Sequence, residues 1–236
     1  MTSFQLPQPF VLDRSRSASA QVFDFLRKHI INLALPPATQ LPRPALAEQF
    51  QLSQTPIRDA LLRLEEDGLV AIYPQHTTVV SAIDVGSAQR AHFLRKSLET
   101  EVVCALARNP TADLVARLEM KLKQQDDALN RSDWEEFVLK DQDFHRTMYA
   151  AAAVEPLWEM VRRSSGNLDR LRNLHIPMPG KAQSVMVDHR RIVDALAAAD
   201  VDAAAAAVRT HLSGTLSNLT HIRARYASML TDAKAD

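Results

Sequence analysis

Four side chains of this 236-residue chain are of types and spacings that could do chemistry. Asp141 and His145 are four residues apart, so on a helix they are neighbours. They share a face with Phe137, Phe144 and Met148. His189 falls on an apolar stripe with Val185, Ile192, Val193 and Leu196. His211 falls on another, with Val208, Leu212, Thr215, Leu219 and Ile222. An ionised carboxylate on a buried face is costly unless it is paired or bound to a metal. Three imidazoles and one carboxylate suit Zn²⁺ or a similar divalent ion. Histidines on apolar faces can equally be core residues with satisfied hydrogen bonds. Spacing alone leaves both readings open, because it does not show that three helices converge.

The elements that must position these residues follow from punctuation and period. From about Ser87 to Leu230 the pattern predicts six helices and no strand, over 87–107, 111–130, 133–152, 154–175, 182–199 and 201–230. Asn109-Pro110-Thr111, Val154-Glu155-Pro156 and Ile176-Pro177-Met178-Pro179-Gly180 are the breaks. Ser132 with Glu135 reads as a capping box, and Asp200 as the cap of the last helix. This is an all-α bundle over 88–230, followed by a tail at 231–236.

The first third reads differently. Helix one is expected from Ser17 to Leu33, with Val22, Phe25, Leu26 and Ile30 inward, after a flexible arm at 1–13. Arg43 to Phe50 is a short helix. A tight connection, Gln51-Leu52-Ser53, leads to a second helix with Thr55 as its cap, Pro56 at its first position, and Ile57, Ala60, Leu61 and Leu64 facing a core. Gly68 stops it. Two short helices so joined form a helix-turn-helix. Leu69–Ile72 and Thr77–Ser81 then make a hairpin wing. The domain spans 14–83, and 84–87 is a linker. Gln54, Thr55 and Arg58 stand on the outer side of the second helix, where amide and guanidinium groups can contact base edges in a major groove. The bland alternative is a small helical core with Arg58 merely solvated.

Thr55-Pro56-Ile57-Arg58-Asp59-Ala60-Leu61, with Leu64-Glu65 and Asp67-Gly68-Leu69-Val70, resembles the winged helix-turn-helix signature of the GntR family of bacterial transcriptional regulators. Gln51 stands where that family usually has Gly, and Gln54 where it has Arg; Gln54 would favour adenine over guanine. Asp141-Gln142-Asp143-Phe144-His145, Asp188-His189 through Leu196, and His211-Leu212 resemble the motifs of the FCD effector domain of the FadR-like subfamily. The resemblance implies a mostly α fold: an N-terminal winged helix-turn-helix plus a C-terminal all-α bundle. It implies a divalent metal held by Asp141, His145, His189 and His211, with zinc first and nickel or manganese as alternatives. It also implies an effector, a small carboxylate or sugar acid, near Arg95, which with Glu99 resembles a motif of the first bundle helix, and near Asn167 and Asn218. The DNA-contacting set would be Arg43, Ser53, Gln54, Thr55, Arg58, His76 and Thr77, on double-stranded operator DNA.

Charge constrains this reading. The chain has 28 basic and 28 acidic residues, and residues 14–82 hold seven Lys/Arg against six Asp/Glu. Phosphate contacts must then come from local geometry, at Arg14, Arg16, Arg43, Arg58 and the wing. One head would bind weakly, so a homodimer is part of the expectation. A single cysteine, Cys104, excludes an internal disulfide and fits a reducing cytosol. No apolar run approaches the ~20 residues of a membrane span, and no secretion signal opens the chain; the expected location is cytoplasmic. The functional reading is a ligand-responsive repressor rather than an enzyme. Two rivals are a metal-dependent hydrolase or isomerase and a regulator whose histidines bind the effector without metal.

Overall fold

The computed structural model describes residues 4–73 and 77–232. The chain divides into two compact units. One comprises residues 1–88, 166–170 and 226–236, and the other 89–165 and 171–225.

In the first unit α1 spans Ala18–Ile31. The Ser17 hydroxyl accepts from the Ala20 N–H, and Val22, Leu26 and Ile30 are fully buried. A short strand β1 (Gln40–Leu41) precedes α2 (Arg43–Phe50) and α3 (Gln54–Glu66). α3 starts two residues earlier than its Thr55-Pro56 pair predicts. Ser53 is extended and occupies the cap position, with no side-chain cap bond. Thr55 is therefore not the cap, and Pro56 is the third helical residue. That is tolerated because the first four N–H groups of a helix have no partner inside it. Ile57, Ala60, Leu61 and Leu64 are the buried face. Gly68 ends the helix at φ +69°, with Gly68 N–H donating to Glu65 O at 2.8 Å and Leu69 N–H to Leu64 O at 2.9 Å, a Schellman stop. β2 (Val70–Ile72) and β3 (Thr78–Val80) pair antiparallel as the wing, in register Ala71 with Val79, and β1 adds to β3. The Ile72 N–H donates to the Glu65 carboxylate at 2.8 Å, tying wing to helix.

Several details differ from expectation. Residues 4–13, expected as an arm, lie on the core: the Phe10 ring meets Phe50 and Phe25 edge-on at 4.7 and 5.5 Å, and the Leu6 N–H donates to Gln49 Oε1. The expected linker is structured too. Asp84 belongs to β4 (Ile83–Asp84), which pairs in parallel with β5 (Leu230–Thr231), and its carboxylate caps α4 (Val85–Arg108) by accepting from the Ser87 N–H. Strands this short carry little periodic signal.

Gln51 terminates α2 at φ +54°, with Leu52 N–H donating to Ala47 O at 3.0 Å. A side chain in that left-handed region costs about 1 kcal/mol that glycine does not incur. Gln51→Gly should therefore raise the stability of this unit by about 1 kcal/mol, read as a higher melting temperature; an unchanged or lower one contradicts the stop geometry.

The second unit is helical. α5 spans Ala112–Asn130, α6 Trp134–Ala151, α7 Glu155–Ser164, α8 Gly166–His175, α9 Lys181–Ala197, α10 Val201–Ser213 and α11 Leu219–Tyr226, with α8 beginning and α11 ending in the first unit. α5 packs on α6 and α9, and α9 on α10, around Val103, Leu118, Phe144, Met148, Ile192, Leu196 and Val208. The predicted fourth helix is broken at Ser165, and the predicted sixth stops at Gly214, with a 3₁₀ turn at Leu216–Asn218. The cap of α6 is Asp133, accepting from the Glu136 N–H at 3.0 Å, rather than Ser132, whose φ is +54°. Asp200 does cap α10. Among the described residues no helix is long and apolar enough to cross a membrane.

Candidate metal centre and DNA-contacting helix

α6, α9 and α10 bring Asp141, His145, His189 and His211 together, with one ligand atom of each within 4.8 Å of the others. All four are buried. The three imidazoles converge through the same atom. Nε2 of His211 lies 3.1 Å from Nε2 of His145 and 3.2 Å from Nε2 of His189. Ligands about 2.1 Å from one ion, at tetrahedral to octahedral angles, are about 3.0–3.4 Å apart. Asp141 Oδ1 is 3.5 Å from His189 Nε2 and has no hydrogen-bond donor. His145 Nε2 is 3.9 Å from the other oxygen, Oδ2. An orphaned carboxylate oxygen beside a cluster of three ring nitrogens is what a bound cation would satisfy, and the donor set suits a divalent ion.

Neighbouring groups set which ring nitrogen faces inward. His145 Nδ1 is 2.7 Å from Glu99 Oε2, and His189 Nδ1 is 2.8 Å from Gln125 Oε1. The Gln125 acceptor fixes the His189 proton on Nδ1 and leaves its Nε2 lone pair free, the usual outer shell of a metal-bound histidine, and the Glu99 carboxylate stands at the same position beside His145. The His189 ring stacks on Phe144 with centroids 4.2 Å apart. Burial, reinforced by His145 and nearby guanidinium groups and only partly opposed by Asp141, pulls His189 down to about 3. His211 is held well below the imidazole range by burial and then by the other two rings. Both are neutral at pH 7, with no proton to displace. Burial pushes Asp141 up, but Arg172 and then the imidazoles outweigh it and hold its carboxyl well below the usual range. Arg172 Nη2 donates to Asp141 Oδ2, leaving Oδ1 to face His189.

The expected effector residues are not brought together. Arg95 is buried rather than on the surface, and its Nε donates to Glu99 Oε1 at 2.6 Å. Burial raises the Glu99 carboxyl, yet Arg95 and His145 together bring it to about 2. Asn167 belongs to the first unit. Its Oδ1 accepts from the Asp84 N–H and from Arg170, which itself donates to Ser81 O. Asn218 donates to Gly214 O at 2.8 Å, closing the turn after α10. Both amides satisfy backbone, which is why they stand where they do. Sequence reading missed Gln125 and Arg172. Gln125 had a signal, an amide on the stripe of Leu114, Leu118 and Leu122. Arg172 had none, since basic residues recur throughout α8.

In the first unit, Ser53, Gln54, Thr55 and Arg58 are exposed at the start of α3, and Gln54 and Arg58 make no side-chain hydrogen bond or ion pair among the described residues. Arg43 and Thr77 are half-buried. His76 lies outside the described residues.

Residues 18–80 match the profile of the bacterial regulatory proteins of the gntR family, and residues 92–214 that of the FCD domain. The chain belongs to the GntR family. This GntR regulator is 31% identical over 219 residues to an uncharacterized HTH-type transcriptional regulator in an unstable DNA locus of Streptomyces ambofaciens, covering 92% of each chain. It is 26% identical over 212 residues to the HTH-type transcriptional repressor RspR of Escherichia coli K12, covering 90% of this chain and 93% of that one. E. coli McbR/YncC has the same fold, with a TM-score of 0.71 at 22% identity over 89% of this chain and 99% of that one. These relatives are transcriptional regulators rather than enzymes, so the hydrolase or isomerase reading falls.

Proposed function

We propose that this GntR regulator is a homodimeric repressor that reads a pseudo-palindromic operator with α3 and the wing, and senses a small organic acid at a divalent metal in its helical unit. The observation that carries the sensing half is the convergence of three Nε2 atoms, 3.1 and 3.2 Å apart, beside a carboxylate with one orphaned oxygen. Asp141, His145, His189 and His211 would hold the ion, with zinc first among the metals. When bound, it supplies a Lewis-acidic docking point for a carboxylate. Glu99 and Gln125 orient His145 and His189, and Arg95 serves the site through Glu99. Repression is carried over from the name of the E. coli relative, and dimerisation from the weak positive charge of a single head. With no predicted membrane span, the protein acts on DNA in the cytoplasm.

The DNA half rests on the exposed outer side of α3. Arg58 is exposed and makes no side-chain hydrogen bond or ion pair among the described residues, so Arg58→Ala should leave melting nearly unchanged. It should weaken binding to an operator from the gene's own upstream region by roughly 1–3 kcal/mol in a gel shift; unchanged affinity counts against α3 as the reading helix. Elemental analysis of protein purified without a nickel column tests the sensing half. About one divalent ion per chain is expected. A metal-free protein whose operator binding still responds to organic acids favours histidines that contact the effector directly.

A further inference from the structure

The boundary between the two units falls inside α8, after Arg170. The first turn of α8 serves the first unit. Gly166 packs on Leu69, the residue after the glycine that stops α3, so closely that a Cβ would lie 3.0 Å from Leu69 Cδ2. The Leu69 carbonyl accepts from the Ser81 N–H at 3.0 Å, closing the base of the wing. Arg170 holds the same base: its Nη2 donates to Ser81 O at 2.7 Å and its Nη1 to Asn167 Oδ1 at 3.3 Å. Asn167 Oδ1 also accepts from the Asp84 N–H at 3.2 Å, just before α4. Two residues on, Arg172 serves the second unit by donating to Asp141 Oδ2 in the four-residue cluster. Residues two apart on a helix differ by about 200° in direction and about 3 Å in rise. Less than one turn of helix therefore separates the side chain that holds the wing from the one that holds the cluster's carboxylate. α4 also enters both units, but about 21 Å of helix separate Val85 from Glu99.

Arg170 is a costly way to fasten a helix. It is fully buried, its partners are carbonyl and amide oxygens with no carboxylate among the described residues, and its Nε has no partner. Burial alone pulls it down to about 10. An apolar side chain of similar volume would fill the space at lower cost. What the guanidinium adds is directional hydrogen bonds to named backbone atoms, which register a small displacement that an apolar contact would absorb.

We propose that α8 is the transmission element of this regulator: Arg172 follows the charge on Asp141, and Arg170 passes the change to the backbone at the base of the wing. This rests on the cluster being the sensor site, as proposed above. A ligand shifts a conformational equilibrium only through different affinity for the two states; here they differ in how strongly Asp141 holds Arg172. Metal and operator then alter each other's binding by one common factor.

The test is a double-mutant cycle on the full-length, chelated protein, read as affinity for an operator from the gene's own upstream region. Asp141→Asn removes the charge and leaves an oxygen for Arg172. It should change operator affinity at least about fivefold, and less than about twofold when Arg170→Met is also present. A purely structural Arg170 would alter affinity by itself and leave the Asp141→Asn effect intact. Melting curves check folding, and Arg172→Met or Asn167→Ala replaces whichever variant fails to fold. An Asp141→Asn effect that is absent, or equal in both backgrounds, overturns the assignment. In a second arm zinc is added back. Wild-type operator affinity should then move by a similar factor, and that of Arg170→Met should stay put at the same metal content. A zinc response that survives Arg170→Met, or zinc that binds the wild type without moving its affinity, overturns it as well. A chain that takes up no metal sinks the sensor reading alone, since the cycle is run without metal and still decides the role of α8.

Discussion

His211→Ala should empty the metal centre. Its Nε2 is the atom nearest both other imidazole nitrogens, at 3.1 and 3.2 Å, so it is the common vertex of the donor set. It is also the least entangled of the three. His145 Nδ1 stands 2.7 Å from the Glu99 carboxylate and His189 Nδ1 is bonded to Gln125, whereas His211 Nδ1 has no recorded partner of either kind. Removing it deletes a ligand without orphaning a neighbour. Metal content should fall from about one ion per chain to near none after dialysis. A ligand that binds only the folded state stabilises it by about 4 kcal/mol at a thousandfold excess over its Kd. Chelation should therefore lower the wild-type melting temperature and leave His211→Ala unmoved. Glu99→Gln tests the next layer, since its carboxylate is no ligand but stands against His145 and holds buried Arg95. It should retain the ion with roughly 10–100-fold weaker affinity. If His211→Ala keeps a chelator-sensitive melting curve, the four-ligand assignment is wrong.

Much of this site was legible because its chemistry conflicts with its surroundings. A carboxylate and three imidazoles on apolar stripes mark themselves by their burial cost, and the stripes placed all four on faces that do meet. The head was legible for another reason: Gly68 and the alternation of the wing are local rules, and local rules survive without knowledge of the tertiary fold. What was not legible shares a cause as well. That Arg95 and Glu99 are both buried depends on α6 packing over them. Asn167 and Asn218, which the resemblance set near an effector, each satisfy a backbone group that only the folded chain presents. Arg172 gave no signal, since a basic residue on a polar helix is ordinary until its burial is known. The cap of α3 was missed by two residues because Thr-Pro is a strong local signal and an extended Ser53 overrode it.

Asp141→Ala should destabilise the protein even when no metal is present. The carboxylate has two duties on two oxygens. Oδ2 accepts from Arg172, a guanidinium that is itself buried, and Oδ1 faces His189 at 3.5 Å with no donor of its own. Removing the Asp141 side of this buried ion pair costs about 3–5 kcal/mol. In a chain of this length that is a drop of roughly 10 °C in melting temperature. Chelated wild type is the right reference, because it removes the contribution of the ion from both arms. Arg172→Met in the Asp141→Ala background should then recover part of the loss, since the two side chains are coupled through the same bond. The same double variant should still bind no metal. Full stability of chelated Asp141→Ala would mean that Arg172 finds another counter-charge and that Asp141 is a ligand only. The expected result instead assigns Arg172 the task of holding the carboxylate in place before any ion arrives, with one oxygen occupied and the other already turned to His189.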